Sequence, residues 1–494
     1  MRITLIHSND VHSRFEMMPK IAAYAERLRR ERRGEAVWLI DLGDHVDRAH
    51  PLTESTAGEA NARVLEASGY DFVTIGNNEG LSLSPKALAA LYQGAPFDVL
   101  VANLFYAPDG RGEAESGGMR LRPEWARPYA VRAAAGRTIG FIGLTTPFMY
   151  YTLLGWNVAS PQEVLDALIP ELRPHVDALV VLSHLGYFVD RRLAEVYPEI
   201  DLILGAHTHH RFPEGVRVGR TVITQSGRGG MEVGRTELIW TDDRFTGGRP
   251  LIRTRTIAVG KEADASAVRQ ALAAAEAAGR SALSRPVARL SRPLPVAYDR
   301  ESPFANVLAR AVRRATEADA ALLTSGLLLH DLRAGVISYG EVLTACPHPI
   351  SPCVLTLSAL ELKHILNEAL RPSHMMMSVR GYGFRGSVLG HPAVDGIEVV
   401  VVHKGGQSFV VRLEKDGCPL DDDAVLRVAT ADMFVFMRMD EALGRRIEEA
   451  VYCMPRFLRH YLTEELGRSA DHAEAFRPRF VERWEDACGE GLDG

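Results

Sequence analysis

Short apolar runs of strand length recur through the first half of the chain, and each stops at a small polar cluster. They cover residues 3–6, 36–40, 72–75, 99–101, 138–142, 178–182, 202–204 and 221–224. Helix-like stretches lie between several of them, at 19–33 and 57–68. Strands alternating with helices in this way predict an α/β architecture. Residues 265–277 are Ala-rich with Glu, Gln and Arg, so a helix is predicted there. That helix reads as a connector over 259–285, between a first domain at 1–258 and a second at 286–494. In the second domain the pattern predicts a strand at 286–290, helices at 302–315 and 355–370, and a hairpin from 396–402 and 408–413. The mixture reads as α+β. The polar tail 477–494 is expected to fray.

Composition narrows the class only slightly. A chain of 494 residues exceeds a single core, and 46% hydrophobic with 24% charged residues is ordinary for a folded protein. The formal net charge of -6 gives no basic footprint for nucleic acid. No apolar run is long enough to span a membrane and no secretory signal pattern opens the chain, so a cytoplasmic protein is expected. Five cysteines, an odd number with no C-x-x-C pair, fit free thiols in a reducing compartment. Cys346 and Cys353 are close enough in sequence for a local bridge or metal clip, although the three prolines between them favour a rigid turn.

The chemistry lies in the polar segments at the ends of the strands. The first run leads into Asn9-Asp10-Val11-His12, the second into Asp41-Leu42-Gly43-Asp44-His45, and the third into Gly76-Asn77-Asn78-Glu79. Two later runs lead into Ser183-His184-Leu185-Gly186 and Gly205-Ala206-His207-Thr208-His209. Carboxyl ends of strands in an α/β sheet share one edge, where ligands bind. Any one histidine here would more often be structural, and Asp44 alone would read as a helix cap. Five clusters at the same relative position point instead to a common site. Imidazole and carboxylate oxygen without thiolate suit manganese, zinc or iron. Asp10 and His12 can reach one ion, His207 and His209 can serve two neighbouring ions, and Asp44 can bridge. Two such ions clamp a phosphoryl group and generate a hydroxide for in-line attack.

These five segments resemble the motifs of the calcineurin-like metallophosphoesterases. Their order and the appended second domain are similar to the 5'-nucleotidase/UDP-sugar hydrolase family, in its cytosolic bacterial branch. The resemblance implies a β-sandwich flanked by helices, with an α+β substrate-binding domain after it. It places Asp10, His12, Asp44 and His209 on one divalent ion, and Asp44, Asn77, His184 and His207 on the second. It implies a nucleotide or nucleotide sugar as the small-molecule partner, while the charge and hydropathy lead to no nucleic acid or membrane partner being expected.

The sequence departs from the family at two places. The family's Gly-Asn-His-Glu histidine and the aspartate that orients it are here Asn78 and Leu81. Asn78 can donate a hydrogen bond to a phosphoryl oxygen but cannot be a general acid. Phosphate leaves an anhydride without acid help, so the change favours pyrophosphate substrates over monophosphates. The competing reading gives the proton to His45 or His50. In the second domain, the family stacks a base between aromatic rings. Tyr382, Phe384 and Arg385 in Arg380-Gly-Tyr-Gly-Phe-Arg-Gly386, with Phe434, are the candidates, Phe384 and Phe434 as the clamp and Arg385 as the phosphate ligand. The family's Asn-x-Gly-Gly-x-Arg arginine falls at Leu329, with Arg333 as a substitute. A hydrolase of another phosphate or sulfur ester, and a catalytically silent metal-holding protein, remain the alternatives.

Overall fold

The computed structural model describes residues 1–107, 120–241, 248–404, 407–437 and 441–484. It forms two compact units, Met1–Gly279 and Arg280–Gly494. They divide inside the Ala-rich helix, which runs over Ser266–Ser284. Among the described residues no helix is long and apolar enough to cross a membrane.

Two six-stranded sheets form the body of the first unit, twelve of the strands found among the described residues. They are β1 (Arg2–Ser8), β2 (Ala36–Asp41), β3 (Phe72–Val73), β4 (Asp98–Val99), β5 (Tyr129–Ala134), β6 (Arg137–Thr145), β7 (Ala178–His184), β8 (Leu202–Gly205), β9 (Val216–Val218), β10 (Thr221–Thr224), β11 (Glu232–Ile239) and β12 (Leu251–Ala258). One six-stranded sheet has the order β12-β11-β1-β2-β3-β4 and the other β9-β10-β8-β7-β6-β5. Ile3, Leu5, Ile40 and Leu238 of the first sheet pack on Phe141, Val180, Leu202 and Val222 of the second, which makes the sandwich core. Phe72 stacks on Phe141 across it, with ring centroids 4.6 Å apart. The outer side of the second sheet is covered by helices, where Leu165, Ile169 and Leu193 meet Val181 and Ile203. Strand β7 is therefore buried along its whole length, which is why it reads as an unbroken apolar run.

The alternating pattern holds where strands are parallel. β1 pairs with β2, β2 with β3, and β7 with β8, all parallel. The antiparallel strands β5, β11 and β12 were not anticipated, because their alternating faces interrupt the apolar runs.

The second unit holds a five-stranded mixed sheet, with Ala320–Thr324 and Val425–Ala431 adjacent and parallel. A four-stranded sheet contains the expected hairpin, Glu398–Lys404 paired with Gln407–Lys415. Two expectations need correction. The helix expected over 355–370 begins only at Ala359, because Pro352–Ser358 is a strand paired with Val425–Ala431. Ser358 then starts the helix, its hydroxyl accepting the N–H of Glu361 at 3.2 Å. The tail does not simply fray: Phe480–Trp484 adds a parallel strand beside Glu398–Lys404 and buries Phe480. Residues 485–494, with Cys488, lie outside the described residues. Cys346, Cys353, Cys418 and Cys453 are free thiols, so the Cys346–Cys353 bridge does not form.

Candidate metal centre

The parallel strands bring the five polar clusters to one edge of the sandwich. β1, β2 and β3 deliver Asp10, Asp44 and Asn77 from one sheet; β7 and β8 deliver His184 and then His207 and His209 from the other. The loops interlock through their backbones. Asp10 N–H donates to Gly43 O at 3.1 Å and His12 N–H to Asp44 O at 2.9 Å. His207 N–H donates to both oxygens of Asp10, each at 3.1 Å.

This backbone is strained where the candidate ligands sit. Among the described residues twelve non-glycine residues have positive φ, and Asp10, His12, Ser13, Asp44, His207 and His209 are six of them. Such conformations cluster at functional sites because the surrounding structure must hold them in place. Gly76 is required for a different reason: a Cβ there would lie 2.1 Å from Asp44 Oδ1 and 2.5 Å from His184 Cε1.

Two groups of ligand atoms result, Asp10 with His12 and His209, and Asp10 with Asp44 and His184. Asp44 turns Oδ1 toward His184 Nε2 at 3.4 Å and Oδ2 toward His12 Nε2 at 3.9 Å. Asp10 Oδ1 stands 3.4 Å from His209 Nε2 and 4.0 Å from His184 Nε2. His184 Nδ1 is 2.6 Å from Leu42 O and donates to it, so Nε2 is the ring atom left to face the carboxylates. His207 lies beside His184, with ring centroids 5.4 Å apart.

The residues fit divalent cations. Asp10 and Asp44 are two buried carboxylates, and buried charge requires compensation. Two buried ligand atoms, His184 Nε2 and Asn77 Oδ1, have no hydrogen-bond partner. Burial opposes the charged form of His184, but Asp44 and Asp10 outweigh it and push its pKa up to about 10. Burial likewise opposes ionisation of Asp44, yet His184 and His12 hold it well below the usual carboxylate range. The two carboxylates thus draw positive charge from the imidazoles beside them.

Asn78 sits at this edge. Its backbone N–H donates to Asp44 Oδ1 at 2.8 Å, and its Nδ2 lies 3.0 Å from His12 Nδ1. His45 does not fit the role of a proton donor. It is 1% exposed, neither ring nitrogen has a hydrogen-bond partner, and burial lowers its pKa to about 4. His50 is used as a helix cap, its Nδ1 accepting the N–H of Leu52 at 3.2 Å.

Several supporting residues were not anticipated. Glu79 is buried and accepts three backbone N–H groups, from Val46 at 2.7 Å, Gly76 at 2.8 Å and Asp44 at 3.0 Å. Its place three residues after Gly76, in the first turn of the helix Asn77–Ser82, was the available signal. Asn9 donates to Asp10 Oδ2 at 2.7 Å and accepts from Ser226. Ser183 donates to the buried Asp190 at 2.5 Å.

The second-unit candidates are placed differently from the clamp expected of them. Phe384 is buried and stacked on His348, centroids 5.3 Å apart and planes at 13°. Phe434 is buried and lines a small cavity with Leu322, Ile365 and Leu443. Tyr382 and Arg385 are exposed.

A two-sheet sandwich with Asp, Asn and His side chains converging on one edge as candidate ligands is the arrangement of the phosphoesterase class. Residues 3–211 match the calcineurin-like phosphoesterase model and residues 282–442 the 5'-nucleotidase C-terminal domain model. The chain belongs to the calcineurin-like phosphoesterases that carry a 5'-nucleotidase C-terminal domain, a family of metal-dependent phosphoester hydrolases. It is 35% identical over 476 residues to an uncharacterized metallophosphoesterase of Bacillus subtilis, YunD, covering 94% of this chain and 99% of that one. Human 5'-nucleotidase is 27% identical over 229 residues, 42% of this chain and 38% of that one. The crystal structure of a 5'-nucleotidase precursor from Thermus thermophilus shares the fold, with TM-score 0.57, 21% identity and coverage of 98% of this chain and 99% of that one.

Proposed function

We propose that this protein hydrolyses phosphate ester or anhydride bonds in nucleotides or nucleotide sugars, with two divalent ions at the sandwich edge. Asp10, His12, Asp44 and His209 hold one ion; Asp44, Asn77, His184 and His207 hold the other. The observation that carries this is the orientation of Asp44, whose two oxygens face histidines from opposite groups at 3.4 and 3.9 Å. Manganese, zinc and iron all suit the ligand set. When bound, such ions neutralise phosphoryl oxygens and acidify a water for in-line attack.

The chain's own residues do the rest. The Leu42 carbonyl orients the imidazole of His184, and Asn78 packs against Nδ1 of His12. Asn78 also provides an amide hydrogen for a phosphoryl oxygen, but no proton for a leaving alkoxide. Anhydrides, whose leaving group is a phosphate, are therefore the preferred substrates. Residues 1–258 act as the catalytic domain, 259–285 as the connector and 286–494 as the substrate-binding domain, where Tyr382 and Arg385 are the accessible candidates.

The test is phosphate or nucleotide release from uridine monophosphate, adenosine monophosphate and UDP-glucose, with Mn²⁺ and with a chelator. Chelator-sensitive cleavage favouring UDP-glucose is the expected result. Faster monophosphate cleavage overturns the anhydride preference. Turnover of none of the three, with turnover of a simple phosphate or sulfate ester, moves the function to another ester.

A further inference from the structure

Beside the metal edge, and wholly within the first unit, four rings gather on the surface. Tyr187 and Phe188 follow Gly186, just after His184; His210 and Phe212 follow His209. His210 stacks on Phe212, with centroids 5.5 Å apart and planes at 15°. Tyr187 lies 4.8 Å from Phe212 and 5.2 Å from His210. Phe188 meets His210 edge-on at 6.0 Å and 86°. Phe188 is 74% exposed, and among the described residues no large hydrophobic side chain is more so.

The cluster is built on a fixed frame. Thr208 Oγ1 accepts the N–H of Tyr187 at 3.1 Å and lies 2.8 Å from His210 Nδ1. Gln225 Oε1 accepts from Thr208 Oγ1 and from the backbone N–H of His210. The frame abuts the metal ligands: a Cβ on Gly186 would lie 2.7 Å from Thr208 Cγ2 and 3.3 Å from His207 Cδ2. A water-exposed aromatic cluster held rigidly beside a reactive edge has the features of a stacking platform. Aromatic rings present π-faces to which any planar ring can bind. In the second unit, by contrast, Phe384 and Phe434 are both buried.

We propose that Tyr187, Phe188 and His210 form a subsite for the planar ring of the substrate, a nucleobase in the reading above. This rests on the phosphoesterase reading of the metal edge, and it adds a ring contact from the first unit to the substrate-binding role of residues 286–494. Phe188 supplies the free face, and His210, itself stacked on Phe212, meets it edge-on.

The test compares ring-bearing with ring-free esters on the full chain with Mn²⁺. The substrates are adenosine monophosphate, phenyl phosphate and glycerol 3-phosphate. Phe188→Ala is expected to lower the ratio of kcat/KM for ring-bearing over ring-free substrate by about 5-fold or more, through KM, from the usual strength of base stacking. Phe188→Trp is expected to restore the ratio, and its added indole fluorescence to be quenched by adenosine monophosphate but not by inorganic phosphate. An unchanged ratio in Phe188→Ala, or a loss of the ratio in Tyr382→Ala alone, overturns the proposal. Cleavage of phenyl phosphate without any nucleotide refutes the nucleotide reading, while the phenyl-to-glycerol ratio still decides the ring subsite. Quenching of Phe188→Trp by neither ring-bearing ester also overturns it.

Discussion

Glu79 accepts the backbone N–H of Asp44 at 3.0 Å, and so fixes the residue whose carboxylate faces both groups of histidines. The same carboxylate ties down Val46 and Gly76, which closes the second and third loops onto each other. Glu79 touches no substrate in this arrangement and is a positioning residue. Glu79→Gln is expected to weaken Mn²⁺ binding about 10- to 100-fold, the usual effect of losing a group that orients metal ligands. Calorimetric titration with Mn²⁺ checks this; an unchanged affinity would remove Glu79 from the site.

Gly76 tests the same loops by sterics. A Cβ at this position falls 2.1 Å from Asp44 Oδ1, far inside van der Waals contact. Gly76→Ala must displace Asp44 or His184. Activity is expected to fall at least about 100-fold, in line with the effect of roughly 1 Å misplacement at a reacting centre. Circular dichroism is expected to stay native, because the disturbed atoms belong to the site and not to the sandwich core.

Asn78 and Leu81 occupy one short helix, Asn77–Ser82, three residues apart. Positions with this spacing share a helix face. Asn78→His with Leu81→Asp should therefore reconstitute an oriented imidazole. Monophosphate turnover is expected to rise about 10²-fold, the lower end of general acid assistance, with UDP-glucose turnover changing much less. An equal rise on both substrates would mean that the imidazole binds phosphate without donating a proton.

The sequence made the edge of the sandwich legible and left other parts hidden, for identifiable reasons. Asp10, Asp44, Asn77, His184, His207 and His209 each end or follow a parallel strand, so chain order alone placed them together. β11 and β12 were missed because an antiparallel strand with one wet face alternates, and its apolar residues never form a run. Glu79 was visible, but its function depends on three N–H groups from two loops, which only folding brings together. Phe384 and Phe434 show the reverse problem. A phenylalanine in a glycine-rich loop reads the same whether its ring faces solvent or, as here for Phe384, lies flat on His348. Tyr187, Phe188, His210 and Phe212 come from two segments more than twenty residues apart, and no local pattern announces their contact.

Metal binding should stabilise the protein as well as activate it. Asp10 and Asp44 are buried together, with imidazoles against both. An ion bound to the folded state alone adds about 2.7 kcal/mol at a free concentration one hundred times its dissociation constant. Mn²⁺ is expected to raise the Tm of the wild-type chain and a chelator to reverse the rise. Asp44→Asn should lose most of this response; a full response would place the stabilising ion elsewhere.

Asp432 offers a pH test in the second unit. Its carboxylate is buried and accepts the N–H of Ser351 at 3.1 Å, and burial together with its charge pushes up the thiols of Cys353 and Cys453. Burial raises its pKa to about 7 against the pull of the Ser351 and Met433 N–H groups. The folded chain therefore holds this proton over a range in which the unfolded chain, at an ordinary carboxylate value, has lost it. Folding is favoured by protonation, so the contribution of Asp432 to stability falls as pH rises from about 4 to about 7, by up to about 1.4 kcal/mol per pH unit. Asp432→Asn keeps the acceptor for Ser351 and cannot ionise. Its Tm relative to wild type is expected to climb across that window and level off above pH 7. Other buried acids, such as Asp190, titrate in the same range, but they are common to both chains and cancel in the difference. A difference in Tm that stays constant from pH 4 to pH 7.5 would mean that Asp432 remains ionised in the folded protein.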